Sequence, residues 1–213
     1  MPHPRSRYLA VVLAVAFLAL LTYGLLAKSA DTSIDDALAR GTAPSSPAFE
    51  LPLLEPSSRR RTFQPAGRLD DVLGDGAVSV AELRGTPFVL NFWASWCEPC
   101  RVEAPVLEGG WREFGPRGLL FVGLDMQDLT GDAQDFVSEF DITYPTIRDP
   151  GSDVADSFGA LGIPETYFVD ADGDVVGHAI GVVDADQLAR GSRAALSGDV
   201  LGVFTGGEIR SSS

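Results

Sequence analysis

Five residues, Trp96-Cys97-Glu98-Pro99-Cys100, constrain this chain more than any other stretch. They hold the only two cysteines among 213 residues, and the two are separated by just two positions. Before them, Phe88-Val89-Leu90-Asn91-Phe92-Trp93 has the near-continuous apolar character of a strand buried on both faces. After them, residues 101–114 carry a helical pattern. The pair therefore falls where a strand ends and a helix begins. Unpaired backbone N–H groups and the helix macrodipole at such a point stabilise an anion, here a thiolate. Thiolate is the reactive form of cysteine, so this position activates the thiol.

Half of a zinc site would look the same. A full site needs two more ligands, and the histidines are only His3 and His178. His3 precedes a long apolar segment and is badly placed to join. A purely structural disulfide here would close too short a loop to restrict the unfolded chain much. A redox-active dithiol, with no resident metal or cofactor, is the reading that survives.

Residues 8–27 contain no charged side chain. A helix of about 20 residues crosses the roughly 30 Å hydrocarbon layer of a bilayer. Arg5 and Arg7 precede the segment, which by the positive-inside rule puts residues 1–7 in the cytoplasm and everything after the span outside it. The apolar run is longer than the 7–15 residues usual in a cleaved signal peptide, and Ala27-Lys28-Ser29 is a poor cleavage site. The expectation is a single-pass anchor over 8–27 in the cell membrane.

Residues 28–46, rich in Ala, Ser, Thr, Asp and Gly, read as a tether in which 34–38 has some helical character. Residues 47–198 read as one domain, opening with a short strand at 48–54. Residues 55–76 are a long polar stretch whose Arg59-Arg60-Arg61 run reads as a solvated loop. After the active-site helix come strands at 119–124 and 144–147, with a helix at 133–140. A helix at 154–161 precedes strands at 166–169 and 175–180. Ala171-Asp172-Gly173 between those strands is a hairpin signal. An amphipathic helix at 185–196 closes the domain, and 199–213 reads as a flexible tail. Strands alternating with helices and ending in a hairpin give an α/β fold with a mixed central sheet. The net charge of −14 argues against nucleic acid as a partner, which needs a basic face.

The stretch from Phe92 to Pro105 closely resembles the active site of membrane-anchored thioredoxin-like proteins of the TlpA/ResA/CcmG (DsbE) group. Gly162-Ile163-Pro164-Glu165-Thr166-Tyr167-Phe168-Val169-Asp170 resembles that group's cis-proline segment. Val78-Ser79-Val80-Ala81-Glu82-Leu83-Arg84-Gly85 resembles the segment leading into the active-site strand. These blocks occur in the group's order, and the resemblance covers residues 46–198. The resemblance implies a thioredoxin fold and thiol–disulfide exchange with protein clients. It also implies a role in reducing apocytochrome c, which would require a membrane electron donor whose identity the sequence does not give.

Cys97, nearer the helix start and expected to be the more exposed, should be the attacking thiol. Cys100 should resolve the mixed disulfide. Glu98 and Pro99 lie between them and tune the helix start, although Glu98 reads equally well as a solvated surface residue. Asn91 stands where thioredoxin, which this stretch also resembles, has an aspartate, and it cannot titrate. Glu103 follows Cys100 by three positions, hence on the same helical face, and matches an acidic residue that ResA-like proteins carry beneath their cysteines. A proton relay is expected of it. Pro164 is expected in the cis form beside the dithiol, and Ile163 is expected to pair its backbone with an extended client. Trp93 and Trp96 are expected to form an apolar wall at the thiols, with Trp96 facing the client. His178 reads as structural, with no partner assignable.

The motif does not fix the direction of transfer, because reductases, oxidases and isomerases share one exchange chemistry. Copper carriage is a reading of a different class, since Cu(I) favours thiolates. It lacks support from a methionine or histidine cluster, the methionines being Met1 and Met126. A peroxidase is a further reading, because peroxiredoxins share the fold.

Overall fold

The computed structural model describes residues 4–26, 32–54 and 76–206. It divides into two units, residues 1–31 and 32–213. The first contains one helix, α1 (Pro4–Leu26, 23 residues). Among the described residues no helix is long and apolar enough to cross a membrane. Side chains within α1 are described only at Tyr8 and over 11–23. The expected span at 8–27 is thus not shown.

In the second unit α2 (Ser33–Ala39) precedes a small antiparallel sheet of β1 (Glu50–Pro52) and β2 (Ala77–Ser79). A single turn, α3 (Val80–Leu83), is capped by the Ser79 hydroxyl, which accepts the Glu82 N–H. Strand β3 (Phe88–Trp93) is followed by α4 (Glu98–Phe114), β4 (Leu120–Met126), α5 (Thr130–Glu139) and β5 (Thr146–Asp149). Then come α6 (Asp153–Phe158), β6 (Glu165–Val169), β7 (Val175–Ile180), α7 (Ala185–Ser197) and β8 (Gly202–Thr205).

The main sheet has the order β5-β4-β3-β6-β7-β8. Strands β3, β4 and β5 are parallel, β6 runs antiparallel to both β3 and β7, and β8 is parallel to β7. Every residue of β3 is buried, as its unbroken apolar run requires of a central strand covered on both faces. Helices α4 and α7 pack on each other, and α7 lies against β3, β6 and β7. Gly191 on α7 is needed for that approach, because a Cβ there would sit 2.3 Å from the Phe168 ring. The mixed sheet flanked by helices is the expected α/β arrangement.

Two expectations need correction. The segment read as a tether is folded from residue 32. Ile34, Ala37 and Leu38 lie on one face of α2 and are buried, and Ser46 N–H donates to Gly173 O. Three apolar positions at helical spacing suffice to dock so short a helix. The segment read as a tail contains β8, in which Gly202 and Phe204 face inward while Val203 and Thr205 face outward. Phe204 stacks on Phe168 with ring centroids 6.1 Å apart. Four residues with a single large apolar side chain turned inward give too short an alternation to register as a strand. The Arg59-Arg60-Arg61 run and most of 55–76 fall outside the described residues, as do 207–213.

Candidate functional site

The site gathers where the C-terminal end of β3 meets the start of α4. Cys97 and Cys100 are joined by a disulfide, with Cα atoms 5.2 Å apart. Cys97 is the N-cap of α4, and its sulfur accepts the Cys100 N–H at 3.2 Å. A sulfur taking the place of a capping oxygen receives the backbone donors that favour a thiolate once the bond is reduced. Exposure barely distinguishes the two in this form: Cys97 is 4% accessible and Cys100 2%. In the bonded form each sulfur covers the other, so the helix start, and not exposure, separates the two thiols. Glu98 and Pro99 are the exposed first residues of α4.

The two tryptophans occupy different surroundings. Trp93 is buried with the cysteines and stacks on Phe136 at 4.3 Å between ring centroids. Trp96 is 60% exposed, but its indole N–H donates to Gln127 O at 3.1 Å. The adjoining Ser95 is fixed by Asp128, whose carboxylate accepts both the Ser95 N–H and its hydroxyl. Arg148 holds the 128–130 segment in turn, donating to Asp128 O and to the Thr130 hydroxyl, while its Nε donates to Asp125 at 3.0 Å. Burial pushes the Asp125 carboxyl up to about 6, with the hydrogen bond from Arg148 working against the rise.

Glu103 is completely buried. Its Oε1 accepts the Val183 N–H at 2.8 Å and its Oε2 accepts Asn91 Nδ2 at 3.0 Å. Neither of these bonds is to a sulfur. Asn91 spends its other amide hydrogen on the Thr166 hydroxyl, 3.0 Å away. The β3–β6 register sets Asn91 directly opposite Thr166, which puts both on the face covered by α4. Burial is the main influence on Glu103 and raises its carboxyl from 4.5 to about 7, with the two hydrogen bonds opposing the shift. Such a group can hold or release a proton near neutrality, as acid–base work requires.

The Ile163–Pro164 peptide bond is cis. Pro164 is buried, and Ile163, partly exposed, packs against the apolar cluster that includes both cysteines. The fold thus brings Cys97, Cys100, Trp93 and Ile163 together, with Glu103 on the same helix.

His178 has partners that its sequence position did not suggest. Its Nδ1 lies 2.7 Å from Asp35 Oδ1 and its Nε2 lies 3.0 Å from Glu165 Oε2. The Ser95–Asp128 and Asp125–Arg148 pairs were also unforeseen. Ser95 and Asp128 meet through loop geometry, and Asp125 and Arg148 face each other in the β4–β5 register; the sequence around each residue encodes neither pairing. Among the described residues no cluster of His, Cys, Asp and Glu is arranged to hold a metal ion.

A thioredoxin-like sheet with a dithiol at the head of its central helix defines a thiol–disulfide oxidoreductase. The chain belongs to the AhpC/TSA family, whose model matches residues 47–178. It is 37% identical over 130 residues to the thiol:disulfide interchange protein DsbE of Pseudomonas fluorescens, covering 59% of this chain and 71% of that one. It is 34% identical over 128 residues to the thiol:disulfide interchange protein HelX of Rhodobacter capsulatus, covering 59% and 70%. Among solved structures it resembles DsbF of Mycobacterium tuberculosis, determined in mixed oxidized and reduced forms. That likeness has a TM-score of 0.56 and 28% identity over 70% of this chain and 95% of the other.

Proposed function

We propose that this chain is a membrane-anchored reductase working outside the cytoplasm, and that it frees the haem-attachment cysteines of apocytochrome c from their disulfide. The observation that carries the reading is the Cys97–Cys100 pair at the head of α4, followed one turn later by the buried Glu103. The resemblance of the active-site stretch to the TlpA/ResA/CcmG group supports the client. The charge-free segment 8–27, with Arg5 and Arg7 before it, supports the anchor and its orientation.

In this reading Cys97 is the nucleophile. Its thiolate attacks one sulfur of the client disulfide, forms a mixed disulfide and releases the other client sulfur as a thiolate. The Cys100 thiol loses its proton and attacks the Cys97 sulfur. That step forms the Cys97–Cys100 bond and expels the second client sulfur. The client gains two electrons, the pair loses two, and a dithiol donor at the membrane restores the reduced form. Glu103 takes the proton that Cys100 gives up, because Asn91 cannot. The client lies extended across Ile163, whose backbone pairs with it as an added strand, and Trp96 borders the contact.

Three measurements test this function. The reduction potential of the pair should lie well below that of oxidising disulfide enzymes, and Cys97 and Cys100 should be mostly reduced in cells. A pair found oxidised in cells, with an oxidising potential, would replace the reductase by an oxidase. Cys100→Ser should also trap Cys97 in mixed disulfides with c-type apocytochromes.

A further inference from the structure

On the opposite face of β6 from Glu103 lies another buried carboxylate, one that the exchange chemistry does not use. Glu165 is 3% exposed and immediately follows Pro164. Strand alternation sends Thr166 toward Asn91 and turns Glu165 to the other side of the sheet. There the Glu165 Oε1 atom accepts two backbone N–H groups, from Leu161 and Gly162, each at 3.0 Å. Those amides belong to the loop that delivers Ile163. Leu161 is 77% exposed and Gly162 is also exposed, so a buried acid anchors an otherwise open loop from beneath.

The other oxygen is held as firmly. Glu165 Oε2 faces His178 Nε2 at 3.0 Å, and the far side of the ring, Nδ1, meets Asp35 of α2 at 2.7 Å. A carboxylate oxygen accepts but does not donate, so both contacts are satisfied together when both ring nitrogens carry hydrogen. Tyr167 stacks on the imidazole at 3.9 Å between ring centroids, with the planes 11° apart. Its hydroxyl lies 3.1 Å from Phe158 O and 3.4 Å from Glu165 Oε2. The Glu165 side chain is thereby fixed at both oxygens.

We propose that Glu165 is a positioning residue for client binding: supported by His178 and Asp35, it holds the Leu161–Gly162 backbone so that Ile163 presents a preformed edge to an extended polypeptide. This rests on the strand pairing at Ile163 in the function proposed above. Fixing the edge in advance removes the cost of ordering the loop when the client arrives. A disulfide without a peptide backbone draws no benefit from it. Glu165 therefore discriminates between substrates and leaves the intrinsic reactivity of Cys97 unchanged.

The test compares two probes on the full, reduced chain. One is hydroxyethyl disulfide, and the other is an extended peptide carrying an internal disulfide. Glu165→Ala should raise KM for the peptide about tenfold, on the scale of two lost hydrogen bonds, and leave its kcat unchanged. The rate constant with hydroxyethyl disulfide should stay within about twofold, because that probe has no backbone to gain from a preformed edge. Glu165→Gln keeps an oxygen for the two amides and should restore most of the peptide KM. Amide hydrogen exchange in the wild type provides a check that needs no variant: Leu161 and Gly162 should be protected despite their exposure, and Asp35→Asn should speed the exchange of both. Equal losses on the two probes, or free exchange at both amides, would overturn the proposal. A wild type that prefers the peptide, beside a Glu165→Ala variant that keeps the preference, would overturn it while sparing the proposed function. A wild type without any preference would remove the strand pairing itself, and the proposal with it.

Discussion

Asn91 donates through Nδ2 to Glu103 Oε2 at 3.0 Å, and this bond joins the central strand to the active-site helix in the buried layer of the domain. The donor is neutral, so nothing there offsets the desolvation of the carboxylate with a full opposite charge. Glu103 accordingly titrates near 7 in the folded protein against 4.5 for an ordinary glutamate. Between those values the folded state retains a proton that the unfolded chain has released. This contribution to stability is complete below pH 4.5 and is lost as pH rises through 7, a change of about 3 kcal/mol. Urea unfolding of the oxidised protein from pH 4.5 to 8 should show the decline. Glu103→Gln should flatten it and bring the variant out ahead of the wild type at pH 8. Parallel profiles for the two proteins would contradict a buried, titrating Glu103.

The thiols should separate kinetically. Both are nearly inaccessible in the disulfide form, but only Cys97 occupies the N-cap position of α4. After reduction Cys97 should react with iodoacetamide at least tenfold faster than Cys100 near pH 7, the ratio expected when one thiolate is favoured by about one pKa unit. Mass mapping of partially alkylated protein gives the ratio directly. Preferential labelling of Cys100 would reverse the two roles.

Much of this site was legible in the sequence because its signals are local. An unbroken apolar run, a Cys-x-x-Cys and a helical pattern follow one another within 30 residues, and β3 and α4 are found there. Asp-Gly at 172–173 similarly marked the β6–β7 connection. The pairs that set the surroundings were not legible. Asp35 and His178 are 143 positions apart and meet only because α2 docks beneath β7. Strand β8 forms because β7 leaves an edge for Leu201 N–H and the residues after it to pair with. Residues 202–205 alone carry too little apolar character to announce this.

Arg148 should matter more than its position at the end of β5 suggests. It is the cationic partner of Asp125, whose side chain is wholly buried. Arg148→Met would leave that carboxyl unpaired and should destabilise the protein by about 3 kcal/mol at pH 8. The Asp125 carboxyl already titrates near 6, above its ordinary 3.8, and without the arginine it should rise further. A neutral Asp125 no longer needs a cation, so the deficit should shrink as pH falls to 5. Denaturant titrations of wild type and variant at the two pH values measure it. A deficit of the same size at both would show that lost packing, and not an unpaired charge, is responsible.

Gly191→Ala tests the packing of α7 on the sheet. The added methyl group would meet three atoms of the Phe168 ring at 2.5 Å or less. Phe168 is fully buried and stacks on Phe204, so the ring has little freedom to retreat. Helix and sheet must separate, at a cost of about 1–3 kcal/mol. Gly109→Ala, on the open side of α4 with nothing within 4 Å of the new methyl group, should be neutral or stabilising. Thermal unfolding of both variants checks the contrast, and equal midpoints would contradict close contact between α7 and β6.

The last prediction concerns how protons leave the dithiol. Thioredoxin-type exchange must remove a proton from Cys100 in a layer where Asn91 cannot accept it and Glu103 is the fully buried acid on the same helix. Glu103→Gln preserves the shape and the hydrogen bond from Val183 but ends titration. It should slow the resolving step, seen as slower release of a mixed disulfide on Cys97, and should remove an inflection near pH 7 from the rate profile. Asn91→Asp goes the other way. It sets a second carboxyl about 3 Å from the first, and two such groups share a proton and titrate as a coupled pair, one of them well above 7. In that variant the inflection should move to higher pH and the rate at pH 7 should fall, with the disulfide form still folded. Profiles of both variants that overlay the wild type between about pH 5 and 9, the span of a raised carboxyl and a thiol, would mean that Glu103 shapes the core and takes no part in the exchange.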